Sequence, residues 1–394
     1  LPLPGETLAM ARTGAVPDRD EDAFRVAVVD DSTVARGLLT GWIRGLPGIE
    51  MVGVHDRAQA LIDTFPTSAP DLVILDLEMP DMDGITALAL LRDRPDTQVI
   101  VVTGLDTRRS DITGRCLSLG AADVLEKPST VHGPDALARF RRALVSRIEA
   151  IAASRRQVRR VPEGAPAREP SPRIRLAPPP APAHQSRPQE TEAARPPLAR
   201  RRDIVLIGAS TGGPRAIVEV LRGIAGQLGD CITVVAQHMP QGFIASFAGH
   251  LGIVAGRPVT AAVGGEILEP GGVFVLPSGV RTEIGLARGQ VRLVAAGPDD
   301  GLYRPSFSRL IGSVAQAGLA RHAVAVALTG MGNDGASAAG AFRQKGGLML
   351  AQDAATSVVW GMPGAIAAAG DAHEVLPLPE IGPRLARLLT EGRA

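Results

Sequence analysis

The sequence predicts an α/β protein made of two doubly wound, parallel-sheet layers, the second with an antiparallel hairpin insertion. Three observations carry that expectation. Short β-branched runs alternate with helix-length segments from Phe24 to about residue 153, a Pro-rich stretch interrupts them, and the alternation resumes at Asp203 and continues to about residue 390. A length of 394 residues suits two or three domains with sizeable cores.

Residues 1–24 mix Pro, Gly, Asp and Arg without an apolar period and read as a disordered arm. Segments 25–30, 48–54, 71–76, 98–103 and 122–125 then read as five strands. A helix over about 134–153 closes this first domain, taken as 25–150. Residues 151–202 read as a solvated linker, with eleven prolines between 161 and 200. In the second domain, 203–390, strands are expected at 204–207, 232–236, 272–276, 280–286, 291–295, 323–328 and 348–351. Leu286-Ala-Arg-Gly-Gln290 reads as a hairpin turn.

Composition excludes several function classes. Lys+Arg 42 against Asp+Glu 41 leaves a net charge of +1, so no global field recommends nucleic acid or an anionic membrane. Cys116 and Cys231 lie far apart in apolar segments, which excludes a disulfide framework and favours a reducing compartment. No apolar run reaches the ~18–20 residues of a membrane span, and no basic stretch precedes a hydrophobic core near the start. The expectation is a cytoplasmic protein without membrane insertion.

Ligands of open parallel sheets bind beyond the carboxyl ends of the strands. Acidic residues stand there in the first domain: Asp30-Asp31-Ser32 after the first strand and Asp76 at the third, with Thr103 at the fourth and Lys127-Pro128 after the fifth. Converging carboxylates repel unless a hard divalent cation such as Mg²⁺ neutralises them. One carboxylate then remains to accept a phosphoryl group as an acyl phosphate. Lys127 is one of only two lysines beside 40 arginines, as if a compact point charge were needed at that place. Alone, each piece has a structural explanation as a cap or a turn; their joint placement carries the reading.

Val28-Val29-Asp30-Asp31-Ser32, Leu75-Asp76-Leu77-Glu78-Met79-Pro80-Asp81-Met82-Asp83-Gly84 and Lys127-Pro128 resemble the receiver domain of two-component response regulators. That resemblance implies a flavodoxin-like fold with Asp76 as the phosphoacceptor. It also implies Mg²⁺ held by Asp30, Asp31 and Asp76, Thr103 sensing the phosphoryl oxygen, Lys127 pairing with it, and a sensor histidine kinase as phosphodonor. Three positions before the lysine, where receivers commonly carry an aromatic switch, stands Val124. Thr103 and the loop after it are therefore expected to carry the change on phosphorylation.

The second domain opens with a strand and a glycine turn, Gly208-Ala-Ser210-Thr-Gly-Gly213-Pro214, which matches Gly-x-Ser-x-Gly. A dinucleotide loop would need Gly-x-Gly-x-x-Gly, and Ser210 stands at the second glycine. A nucleophilic serine needs a base, and the base an orienting carboxylate. His238, in Gln237-His-Met-Pro240, and Asp334, in Gly330-Met-Gly-Asn-Asp-Gly335, both follow apolar strands and so reach the edge that presents Ser210. The amide of Met331 is placed to donate to an oxyanion. The order Ser, His, Asp disfavours the α/β-hydrolase fold.

These motifs, with Arg304-Pro-Ser306, Ala351-Gln-Asp353 and Gly361-Met-Pro363, closely resemble the chemotaxis response-regulator protein-glutamate methylesterase family, which joins a receiver to a catalytic domain in this order. The resemblance implies a Ser210, His238, Asp334 triad without a cofactor in the catalytic domain. It further implies hydrolysis of glutamyl methyl esters on methyl-accepting chemoreceptors and deamidation of receptor glutamines. Two positions depart from the pattern: residues 276–281 lack a histidine often found there, and Ser308 replaces an acid. A phosphorylation-dependent receptor-binding scaffold without turnover is the alternative, and the intact triad argues against it. A transcriptional regulator would need a basic helix-turn-helix, for which the second domain is too long and too rich in glycine turns.

Overall fold

The computed structural model describes residues 23–79, 84–92, 94, 96–104, 115–117, 119–128, 133–159 and 202–391. The expected arm through residue 22, the linker from 160 to 201, Pro80–Asp83 of the first acidic motif and the loop after Gly104 lie outside the described residues. The first sheet has strands β1 (Phe24–Val29), β2 (Ile49–His55), β3 (Leu72–Asp76), β4 (Gln98–Thr103) and β5 (Asp123–Glu126) in the order β2-β1-β3-β4-β5. All its pairings are parallel. Helices α1 (Thr33–Ile43), α2 (Ala58–Ser68), α3 (Gly84–Leu91) and α4 (Gly133–Arg159) accompany it.

Every residue of β3 is buried, as a strand covered on both faces requires. α4 runs to Arg159, past the end its apolar period predicts. Its last turns are tied down by polar contacts that a hydrophobic pattern does not register: Arg155 pairs with Asp71 at 3.7 Å and Asp96 at 3.3 Å. The linker read from residue 151 therefore starts inside a helix.

The second sheet contains seven strands in the order β14-β13-β12-β6-β7-β9-β8. They are β6 (Ile204–Ala209), β7 (Ile232–Gln237), β8 (Val259–Ala261), β9 (Val273–Val275), β12 (Ala323–Ala327), β13 (Leu348–Gln352) and β14 (Glu374–Leu376), all paired in parallel. Along β6, Val205 and Ile207 join the apolar cluster on one face while Ile204 and Leu206 join that on the other. The first face is covered by α5 (Gly213–Gly223), α6 (Gln241–Ala255) and α10 (Leu378–Thr390), and the opposite face by α7 (Phe307–Gln316), α8 (Ala336–Gln344) and α9 (Met362–Ala368).

The expected hairpin is β10 (Val280–Ala287) and β11 (Gln290–Pro298), antiparallel, joined through Arg288 and Gly289. Both turn residues have positive φ, 52° and 75°, as a two-residue type I′ connection demands. Ile284 and Leu293 bury the hairpin against Phe307 and Leu310.

The chain reverses its winding between β6 and β12, which are neighbours in space although five strands intervene in sequence. A crevice opens at such a switch point, beyond the carboxyl ends of the strands. Gly208, at the end of β6, admits the Phe307 ring where a Cβ would stand. Gly208→Ala is expected to cost roughly 1–3 kcal/mol by overpacking, read as a lower midpoint of denaturant unfolding; an unchanged midpoint would mean that Phe307 yields freely.

Candidate active site and phosphoacceptor site

Three adjacent strands each deliver one member of the expected triad. Ser210 follows β6, His238 follows β7, and Asp334 lies in the loop after β12. Ser210, His238 and Met331 line one cleft of about 690 Å³. Imidazole Nε2 of His238 donates to Asp334 Oδ2 at 2.9 Å. Nδ1 is thereby left as the ring's acceptor, the reverse of the trypsin-like arrangement, in which Nδ1 faces the carboxylate.

Asp334 is almost wholly buried and sits at the start of α7. Its Oδ2 also accepts the amide of Phe307 at 2.6 Å, and its Oδ1 accepts the amide of Ser308 at 2.8 Å and the hydroxyl of Ser306 at 3.1 Å. Burial alone would raise its pKa. The hydrogen bonds and charge of His238 and the helix amides outweigh it, and the carboxyl lies below its ordinary value. Ser308, which departs from the family pattern, packs beside this carboxylate: its hydroxyl accepts the Gly335 amide at 2.6 Å.

Pattern reading missed Gln237, whose side chain is buried beneath the cleft. Its Nε2 donates to the carbonyls of both Ser210 and His238, at 2.9 and 3.0 Å. In the sequence it appears only as the polar end of a mostly apolar strand and as the first residue of Gln237-His-Met-Pro240, neither of which shows its bonds. Of the amides at the Ser210 turn, three are engaged within the structure. Those of Ser210 and Gly213 donate to Thr329 and Ser210 carbonyls, and that of Gly212 donates across the domain boundary to Ala122 at 2.7 Å.

The first domain closes over this edge. Thr211 Oγ1 donates to Asp123 Oδ2 at 3.2 Å, and the same oxygen takes Arg147 Nε at 2.6 Å. Arg147, on α4, lines the catalytic cleft. Val359 is buried in the apolar cluster of Leu125, Leu144 and Ile148, and Met331 and Val358 pack against that cluster.

At the other sheet's carboxyl edge, Asp30, Asp31 and Asp76 offer oxygens within 4.8 Å of one another. Asp30 and Asp76 are buried and Asp31 is exposed. Lys127 Nζ lies 3.0 Å from Asp30 Oδ2 and 2.7 Å from Asp76 Oδ2, and its amide donates to the Thr103 carbonyl at 2.8 Å. Arg36 wraps the turn by donating to the carbonyls of Asp30 and Asp31, and Ser32 caps α1. Burial raises the Asp30 pKa in spite of Lys127, and Asp76 adds repulsion. For Lys127, burial works downward, but its bonds to Asp76 and Asp30 prevail and raise it. An oxygen-only set still short of positive charge fits a hard divalent cation.

Comparison with known proteins finds matches to both halves of the chain. The profile for CheB methylesterase matches residues 205–385, and that for the response regulator receiver domain matches residues 26–137. A protein-glutamate methylesterase/protein-glutamine glutaminase of Nitrobacter hamburgensis is 38% identical over 390 residues, 96% of this chain and 98% of the relative. The chain belongs to that family. A group 2 operon member from Rhodopseudomonas palustris is 36% identical over 98% of this chain and 100% of its own length. Among solved structures, the CheB methylesterase catalytic domain of Thermotoga maritima is 34% identical, with a TM-score of 0.45, covering 48% of this chain and 98% of that one. No helix among the described residues is long and apolar enough to cross a membrane.

One consequence concerns stability. Because the folded-state pKa of Asp30 is raised, its contribution is present below the unfolded value near ~3.9 and is lost as pH rises through the folded value. At pH 7 the buried charge is a burden. Asp30→Asn, which keeps an oxygen for the Ser32 amide, is expected to raise the unfolding midpoint without added metal and to abolish any further rise on adding Mg²⁺. A lower metal-free midpoint would show that the Lys127 pair outweighs the burial cost.

Proposed function

We propose that this chain is a phosphorylation-gated serine hydrolase that removes methyl esters from glutamate side chains of chemoreceptors and deamidates receptor glutamines. The observation that carries the reading is the part-buried His238–Asp334 hydrogen bond behind a cleft that His238 lines together with Ser210. His238 Nδ1 takes the proton of Ser210 Oγ as that oxygen attacks the ester carbonyl, and the Met331 amide donates to the oxyanion. Methoxide leaves as methanol with the proton from His238. Water repeats the sequence and frees the glutamate and Ser210. With a glutamine substrate ammonia leaves instead. Asp334 stabilises the imidazolium and holds its tautomer.

In the receiver, Asp76 accepts the phosphoryl group from a sensor histidine kinase, and Lys127 pairs with the new charge. Asp30, Asp31 and Asp76 would hold Mg²⁺, which supplies neutralising charge for the phosphoryl oxygens. Gating follows from the docked arrangement. Ala122 and Asp123 stand at the start of β5, the four-residue strand that ends next to Lys127. The phosphoryl group carries about two negative charges while the acyl bond consumes the one on the Asp76 carboxylate, so about one net charge is gained; it pulls on Lys127 and Thr103 and loosens the β5 contacts to Thr211 and Gly212. This returns the Gly212 amide and withdraws Arg147 from the cleft.

Ser210→Ala is expected to lower methanol release from methylated receptor membranes by roughly 10⁴–10⁶ with phosphorylation intact, and retention of a tenth of the activity would remove Ser210 as nucleophile. Asp76→Asn should lose the acid-stable, alkali-labile phosphate label; label persisting on another residue contradicts the assignment. A chain starting near residue 200 should hydrolyse ester faster than the unphosphorylated full-length protein. A slower rate would make the receiver an activating module instead of an occluding one.

A further inference from the structure

We infer that Tyr303, which neither motif nor mechanism has used so far, is a positioning residue for the base: it clamps His238 and the Asp334 loop to each other. The inference rests on the hydrolase reading above and deepens it. Tyr303 is the only tyrosine in the chain. Its ring stacks on the His238 imidazole with centroids 5.3 Å apart and planes 10° from parallel. Its hydroxyl donates to Asn333 Oδ1 at 2.9 Å and accepts the Asn333 amide at 3.2 Å. Asn333 is the residue before Asp334. A Cβ on Gly332 would collide with the phenol oxygen, so the glycine of this loop makes room for the contact.

The placement has a mechanical meaning. Residues 303–308 form one short segment that reaches His238 through Tyr303 and Asp334 through Ser306, Phe307 and Ser308. The carboxylate fixes one nitrogen of the imidazole but leaves the ring free to swing about that bond. An aromatic face laid on the ring restrains the swing and so keeps Nδ1 aimed into the cleft. It also removes water from one side of the imidazole and presents π density to the imidazolium that forms during proton transfer. Such an interaction is strongest when the base is charged, so its loss falls on turnover and not on substrate binding.

The test compares full-length chains at equal phosphorylation on a peptide carrying a glutamyl methyl ester. Tyr303→Leu is expected to lower kcat about 10-fold with KM unchanged, whereas Tyr303→Phe, which keeps the ring and loses only the Asn333 link, should fall between, about threefold below wild type. A raised KM with kcat intact, or a Phe variant as slow as the Leu variant, would overturn the inference. A second measurement needs no turnover. Chain grown with 3-fluorotyrosine carries one fluorine resonance, which should shift in His238→Ala; an unmoved resonance would also overturn the stack. Should Ser210→Ala remain active, the hydrolase reading falls, and the resonance still decides whether Tyr303 packs on His238.

Discussion

The buried carboxylate of Asp334 is the interaction on which the catalytic half depends. A charge removed from water must be matched by donors, and here His238, Ser306 and the amides of Phe307 and Ser308 meet it. The demand runs both ways. To supply two amides, α7 has to start at the carboxylate, and to supply a ring nitrogen, β7 has to end beside it. The reversal of winding between β6 and β12 brings those ends together. The Ser210 turn, His238 and Asp334 thus meet as consequences of one strand order and of one buried charge at its centre.

Much of this was legible beforehand, for identifiable reasons. Interior strands such as β3, β6 and β12 are apolar runs, against which Asp76 closing β3, Ser210 directly after β6 and Asp334 in the loop after β12 stand out. The short edge strands β8 and β14 were not foreseen. Each has three residues, half-buried or exposed, so neither produces an apolar run. The end of α4 was set too early because, beyond the buried Ile151, Ala152 and Ser154, ion pairs of Arg155 hold it.

The site residues that escaped notice share a cause. Gln237, Arg36 and Tyr303 act through contacts between segments far apart in sequence or through backbone carbonyls, and no spacing rule encodes either. Ser308 illustrates the converse: its departure from the family pattern is visible in the sequence, but only the fold shows that it sits behind Asp334 and not in the cleft. The docking of the two domains was likewise invisible, since its polar contacts, Thr211 to Asp123 and Gly212 to Ala122, and its apolar patch around Val359 join segments far apart in sequence.

Gln237 has a wider significance. By donating to the carbonyls of Ser210 and His238 from below, its one amide group locks the ends of β6 and β7 into a single rigid ledge. The receiver touches that ledge from outside, at Thr211 and Gly212, while the clamp lies on the buried side. Under the proposed occlusion Ser210 and His238 are therefore kept in place in the resting enzyme, and only the Gly212 amide and Arg147 have to be released when the signal arrives. The speed of the response is then set by how fast two preformed surfaces part.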